Sequence, residues 1–192
     1  MPHRCELSML APMKLGPRAR RVMAPPIVAF KDRHRDVLAR PEVIDLSQAV
    51  PSYGPPPVVI EALARGAGDP LSHRYTPDPG LPECREAVAA DLARRHGARV
   101  GPSEIMITPG ANAAFHFAAN VLLDVGEWAT LLSPYYFNHA MSIELLGGRW
   151  QEIRLDPERA MEEMLATGLL DGIGDGEVLV LVNPSNPTGR CF

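Results

Sequence analysis

A run of apolar residues, Val178-Leu179-Val180-Leu181-Val182, leads directly into the polar turn Asn183-Pro184-Ser185-Asn186-Pro187-Thr188-Gly189. A short apolar run bounded by turn residues reads as a strand covered on both faces, the kind that parallel sheets contain. Such a strand cannot stand alone, because parallel neighbours are joined by crossover connections, usually helices. Open sheets of this kind hold ligands in the loops beyond the carboxyl ends of their strands. The turn at Asn183–Gly189 is therefore both an architectural constraint and the first place to look for chemistry.

The remainder of the chain supplies the crossovers. Val43-Ile44-Asp45-Leu46 is a short apolar lead-in to a Pro-rich loop. Val58 to Arg65 reads as a short helix closed by Gly66 and Gly68. Leu81 to His96 reads as a longer one, with Leu81, Cys84, Val88 and Leu92 on one face and Gly97 as its stop. Ile105-Met106-Ile107-Thr108 is predicted as a strand, and Ala111 to about Leu123 as the helix after it. Ala129 to Leu132 is a second strand, ending in Ser133-Pro134. Met141 to Leu146 contributes to the next helix, closed by Gly147-Gly148, and Glu158 to Leu165 forms another. This alternation predicts an α/β fold of three layers, α/β/α, around a mostly parallel sheet.

A composition shift near residue 41 divides the chain into an N-terminal extension or arm, residues 1–42, partly disordered, and a globular part, residues 43–192. Within residues 1–22 the bases Arg4, Lys14, Arg18, Arg20 and Arg21 face the single acid Glu6. No amphipathic repeat accompanies them and Met23 offers a second start, so a disordered extension or a misassigned start codon is preferred to a targeting peptide.

Composition removes several functions. A net charge of -4 gives no clustered Lys and Arg for a phosphate backbone, so nucleic acid is not expected. Cys5, Cys84 and Cys191 are far apart, which suits neither a disulfide framework nor a metal site and fits a reducing cytoplasm. No apolar run approaches the roughly 20 residues needed to span a bilayer. No Gly-x-Gly-x-x-Gly follows a strand, which argues against a nucleotide-binding Rossmann domain.

Three loops carry candidate chemistry. In Thr108-Pro109-Gly110-Ala111-Asn112, Gly110 allows close backbone approach, and the N–H groups of Ala111 and Asn112 at a helix start form an anion site. Plain helix entry explains the same residues equally well. Ser133-Pro134-Tyr135-Tyr136-Phe137-Asn138-His139 offers flat rings and an imidazole, either for a ligand or for the core. Asn186 offers an amide in a turn that Asn and Pro would favour in any case.

In order and spacing these loops resemble the class I/II aminotransferases, the fold-type-I enzymes of pyridoxal 5′-phosphate (PLP), from about Val43 to Phe192. The resemblance implies a PLP-dependent transferase-like large domain, incomplete over the 192 residues. It implies that Gly110, Ala111 and Asn112 hold the cofactor phosphate, that Tyr136 stacks on the pyridine ring, and that Asn186 hydrogen-bonds the phenolic oxygen. His139 would support the acidic partner of the pyridine nitrogen. Tyr75 would reach the phosphate of the neighbouring subunit's cofactor, so a homodimer is expected. Ala49 stands where the family usually has a Gly facing the substrate carboxylate, which leaves the substrate class open.

The implied reaction moves an amino group between an amino acid and a 2-oxo acid. The family's Schiff-base lysine, pyridine-partner Asp and carboxylate-clamping Arg belong beyond Asn186. The only lysines are Lys14 and Lys31, so no catalytic residue is assigned within the chain. The chain is expected to be an N-terminal fragment, poorly stable and inactive alone, with turnover no greater than that of free PLP. Two other readings stay open: a same-fold PLP lyase, and a short non-catalytic protein that binds PLP or a partner subunit.

Overall fold

A computed structural model describes residues 14–174 and 177–191. The chain divides into two compact units, one of residues 30–114 and one made from the N-terminal residues through Ala29 together with residues 115–192. The expected disorder of residues 1–22 falls mostly on residues outside those described.

The second of these units contains the sheet. Among the described residues it has three strands, β1 (Trp128–Ser133), β2 (Arg149–Arg154) and β3 (Val178–Val180), in the order β2-β1-β3. Both pairings are parallel, with Thr130 opposite Gln151 on one side and Leu179 on the other. The central strand is buried from Ala129 to Leu132, and apolar there except for Thr130, as suits a strand covered on both faces. Side chains alternate across it. Ala129 and Leu131 pack with Ala119, Leu123, Ala140 and Ile143, from the helix α5 (Ala111–Leu122), its C-terminal edge and the helix α6 (Phe137–Leu146). Leu132 packs on the opposite face with Leu155 and Met164, the latter from α7 (Met161–Ala166). Helices thus lie on both faces of a parallel sheet, as the alternation of elements predicted.

Strand β2 was not legible in the sequence. Its residues, Arg-Trp-Gln-Glu-Ile-Arg, are mostly polar because it is an edge strand with exposed and half-buried positions only. Two of its polar residues, Arg149 and Gln151, nevertheless have partners. Gln151 donates to the buried Thr130 hydroxyl at 3.1 Å and to Glu177 at 3.2 Å, and Thr130 donates to Glu177 at 3.3 Å. The guanidinium of Arg149 lies 5.7 Å from the centroid of the Trp128 ring opposite it.

Helix α6 ends at Gly147, whose φ of 87° is open to glycine but strained for other residues. The Arg18 guanidinium donates to the Leu146 carbonyl at 3.0 Å, and the Met23 N–H donates to Glu144 at 3.1 Å. The described part of the basic start is therefore tied to the end of this helix.

The unit of residues 30–114 holds α1 (Pro26–Arg33, shared with the other unit through Ala29), α2 (Arg35–Leu38), α3 (Pro57–Gly68) and α4 (Pro82–His96). Helix α4 starts with Pro82, places Glu83 in its first turn and Arg94, Arg95 and His96 in its last, and stops at Gly97, whose φ is 63°. Its inner line is Val88, Ala89 and Leu92, whereas Leu81 and Cys84, predicted on the same face, are exposed. Helix α3 continues through Gly66 to Gly68 and buries no residue.

Residues 105–108 have no regular secondary structure and join no strand among the described residues, contrary to the sequence reading. The Ile107 N–H donates to the Pro79 carbonyl at 2.9 Å. Pro79 has no N–H to return, so a ladder cannot propagate there.

Candidate functional site

The carboxyl ends of β1 and β3 open onto one cleft in the sheet unit. Leu131, Leu132, Val180 and Val182 form its apolar floor, and Pro134, Tyr135, His139 and Asn186 complete its lining. Two residues singled out in the sequence, His139 and Asn186, are thereby brought together. Each arrives for a local reason. His139 lies in the first turn of α6, which Tyr136 opens. Asn186 sits in the terminal turn, closed by Ser185 N–H to the Arg190 carbonyl at 2.7 Å and by Gly189 N–H to the Ser185 carbonyl at 2.6 Å. The Arg190 guanidinium anchors that turn to the segment after β2, donating to the Asp156 carbonyl at 2.8 Å and to the Arg159 carbonyl.

The imidazole of His139 stacks on Phe115, with ring centroids 4.1 Å apart, and meets the Tyr136 ring edge-on at 5.3 Å. Burial holds its pKa below the ordinary histidine value, so the ring is neutral at pH 7. Its Nδ1 is buried and has no hydrogen-bond partner among the described residues. Orphaned buried polar atoms are uncommon because desolvation is not recovered, and one beside a cleft marks a position suited to a polar group from outside the described residues.

Tyr136 is half-buried and its phenolic oxygen accepts from Asn138 at 2.6 Å. Tyr135, to which the sequence gave no role of its own, packs edge-on against Trp150 at 5.2 Å and also lines the cleft. Burial, assisted by Glu152 and Glu144, raises its phenol pKa and keeps it protonated. Two adjacent tyrosines at a strand end were the signal for it, but nothing in the sequence distinguished which would face the cleft.

The other candidates lie in the unit of residues 30–114. Gly110 has a φ of 90°, and a Cβ added there would meet nothing within 4 Å, so an approaching group has room. The Thr108 hydroxyl donates to the Gly110 carbonyl at 3.1 Å, and Ala111 and Asn112 begin α5, exposed. The first N–H groups of a helix have no intrahelical acceptor, and the helix dipole favours an anion there. Tyr75 is fully exposed and Ala49 is exposed. Ala49 follows a turn pinned by Asp45, which accepts from the Ser47 hydroxyl at 2.5 Å and the Ser47 N–H at 2.8 Å. Those hydrogen bonds, helped by Lys31, hold the Asp45 carboxyl below its ordinary range.

The family model for aminotransferases of class I and II matches residues 41–192. The chain belongs to that family. An aspartate aminotransferase of Streptomyces avermitilis is 32% identical over 153 residues, covering 78% of this chain and 37% of that protein. The aromatic aminotransferase ISS1 of Arabidopsis thaliana is 33% identical over 152 residues, covering 76% of this chain and 37% of that protein. The solved structure of aspartate aminotransferase from Thermus thermophilus with maleate superposes with a TM-score of 0.80 at 27% identity, over 93% of this chain and 47% of that one. The aminotransferase-family chain thus spans less than half the length of each of these three relatives. No helix among the described residues is long and apolar enough to cross a membrane.

Proposed function

We propose that the chain is the N-terminal part of a PLP-dependent aminotransferase, moving an amino group between an amino acid and a 2-oxo acid. The observation that carries this reading is the unpartnered, buried Nδ1 of His139 on the same cleft as Asn186. A pyridine cofactor fits such a place, because it brings a polar ring edge together with an acidic partner to an apolar floor. When bound, PLP supplies an electron sink for bonds at the substrate's α-carbon.

The chain's own residues hold and tune that group. Gly110, Ala111 and Asn112 take the phosphate at the start of α5. Tyr136 lies against the ring face and excludes water. The Asn186 amide donates to the phenolic oxygen and favours its ionised form. His139 orients the acid that faces the pyridine nitrogen, and its neutral state at pH 7 leaves a ring nitrogen able to accept a proton or to donate one in a hydrogen bond. Ala49 borders the substrate carboxylate through its backbone. The full exposure of Tyr75 supports its reaching across a homodimer interface to the partner's cofactor. Residues 43–192 form part of the cofactor-binding domain with residues 1–42 as its arm, and the cytoplasm is the proposed compartment. No residue of this chain is assigned as the Schiff-base lysine.

Equilibrium dialysis against PLP and against its amine form, pyridoxamine phosphate, tests the reading. Amino transfer requires a site that keeps both forms. Both are expected to bind, with Asn186→Ala weakening PLP about tenfold, the effect of losing one hydrogen bond to a charged oxygen. Retention of the aldehyde form alone would favour a lyase, and equal binding by Asn186→Ala would remove Asn186 from the site.

A further inference from the structure

We infer that Arg85 is a positioning residue for the Thr108–Asn112 loop, supplying a hydrogen bond that the backbone beside that loop cannot make. This rests on the proposed reading that the loop takes a phosphate. The segment Ile105–Thr108 delivers the loop, yet it lies in no sheet among the described residues. Two contacts hold it instead. The Ile107 N–H donates to the Pro79 carbonyl at 2.9 Å, and Nε of Arg85 donates to the Ile105 carbonyl at 2.9 Å.

These two bonds correspond to one bridge of a parallel ladder. In such a bridge, the residue that accepts from Ile107 would return its own N–H to Ile105. Pro79 has no N–H. Arg85, one turn into α4, donates in its place, and the half-bridge becomes a whole one.

Gly80 makes the approach possible. Its φ is 102°, and a Cβ there would fall 2.7 Å from Cγ1 and 2.8 Å from Cβ of Ile107. Real side chains do not come that close, so a residue larger than glycine would push Ile107 away from Pro79. Ile107 lies only three positions before Gly110. Displacing it moves the turn in which Gly110 N–H donates to the Thr108 carbonyl at 2.7 Å.

Substitutions at position 85 separate this donor role from the charge of Arg85. Methionine extends as far as Nε of arginine without a donor. Glutamine places its amide nitrogen the same number of bonds from Cα as Nε of arginine, without a charge. Equilibrium dialysis of the 192-residue chain against PLP and against pyridoxal, which lacks the phosphate, reads the loop directly. Arg85→Met is expected to lose about tenfold of the preference for PLP over pyridoxal, and Arg85→Gln to restore most of it. Gly80→Ala should lose the preference as well. Gly97→Ala, a positive-φ glycine of the same unit with nothing within 4 Å of an added Cβ, should lose stability but keep the preference.

A preference that survives Arg85→Met, or an Arg85→Gln chain as impaired as Arg85→Met, would overturn the donor role. Parallel loss of both ligands would make Arg85 a general stabiliser only. A parent chain that binds pyridoxal as tightly as PLP would instead remove the phosphate reading, and the functional role of Arg85 with it.

Discussion

His139 has a conflict built into it. Its ring is half-buried against Phe115 and Tyr136, while its buried Nδ1 has no partner among the described residues. A buried polar atom without a hydrogen bond costs about 1–3 kcal/mol, so His139→Phe should leave the chain as stable or more stable while weakening PLP binding. The pH dependence follows from the sign of the shift. Burial lowers the folded-state pKa below the ordinary 6.5, so the unfolded chain takes up a proton at higher pH than the folded one. Stability is therefore full above that ordinary value and falls as the pH is lowered through it. Thermal melts between pH 7.5 and pH 5 (on the order of one unit either side of the ordinary value) should show a smaller fall in His139→Phe than in the parent chain, and equal falls would show that His139 is not the group responsible. Asn186 and His139 were legible as candidates because turn chemistry and order along the chain mark them. Their sharing of one cleft was not, since that depends on the pairing of β1 with β3. Tyr135 escaped notice because adjacent aromatics look alike until one is packed on Trp150.

Among the elements, α6 links the core to the site. Ile143 is fully buried between this helix and β1, and His139 lies one turn earlier on the same helix. Ile143→Ala should cost about 2–5 kcal/mol in urea unfolding, through lost transfer energy and the cavity left behind. A loss below about 1 kcal/mol would mean that the helix can collapse onto the sheet. Helices with clear stops, such as α4 before Gly97, were read to within a residue or two. Strand β1 was also found, because its four buried residues leave no other reading. The two errors have opposite causes. β2 is an edge strand among the described residues, mostly polar, and its Gln151 is satisfied by neighbours far along the chain, Thr130 and Glu177. Residues 105–108 have the composition of a strand, but the segment beside them contains a proline where a donor is needed.

Over the whole molecule, large apolar side chains are distributed unequally. The unit of residues 30–114 exposes Ile44, Leu46, Val50, Tyr53, Ile60, Leu63 and Leu71, and only Ala89 within it is buried. Contiguous apolar exposure is uncommon in proteins that act as isolated chains. The 192-residue chain should therefore bind the dye ANS under native conditions and self-associate in gel filtration at micromolar concentration, and a dye-silent monomer would contradict this. The sheet unit contains a different kind of information. Sliding β3 by one residue along β1 would turn its side chains to the opposite faces, yet Val178, Leu179 and Val180 are all apolar, so hydrophobicity alone would not resist it. Sliding it by two would restore every facing, and hydrophobicity could not object. That slip would carry Glu177 about 6.6 Å along the strand axis, out of reach of Thr130 and Gln151. The hydroxyl of Thr130, wholly buried in the middle strand, would then lose one of its two partners. The polar trio thus acts as a checksum on strand alignment, rejecting misassemblies that an oily sheet would accept.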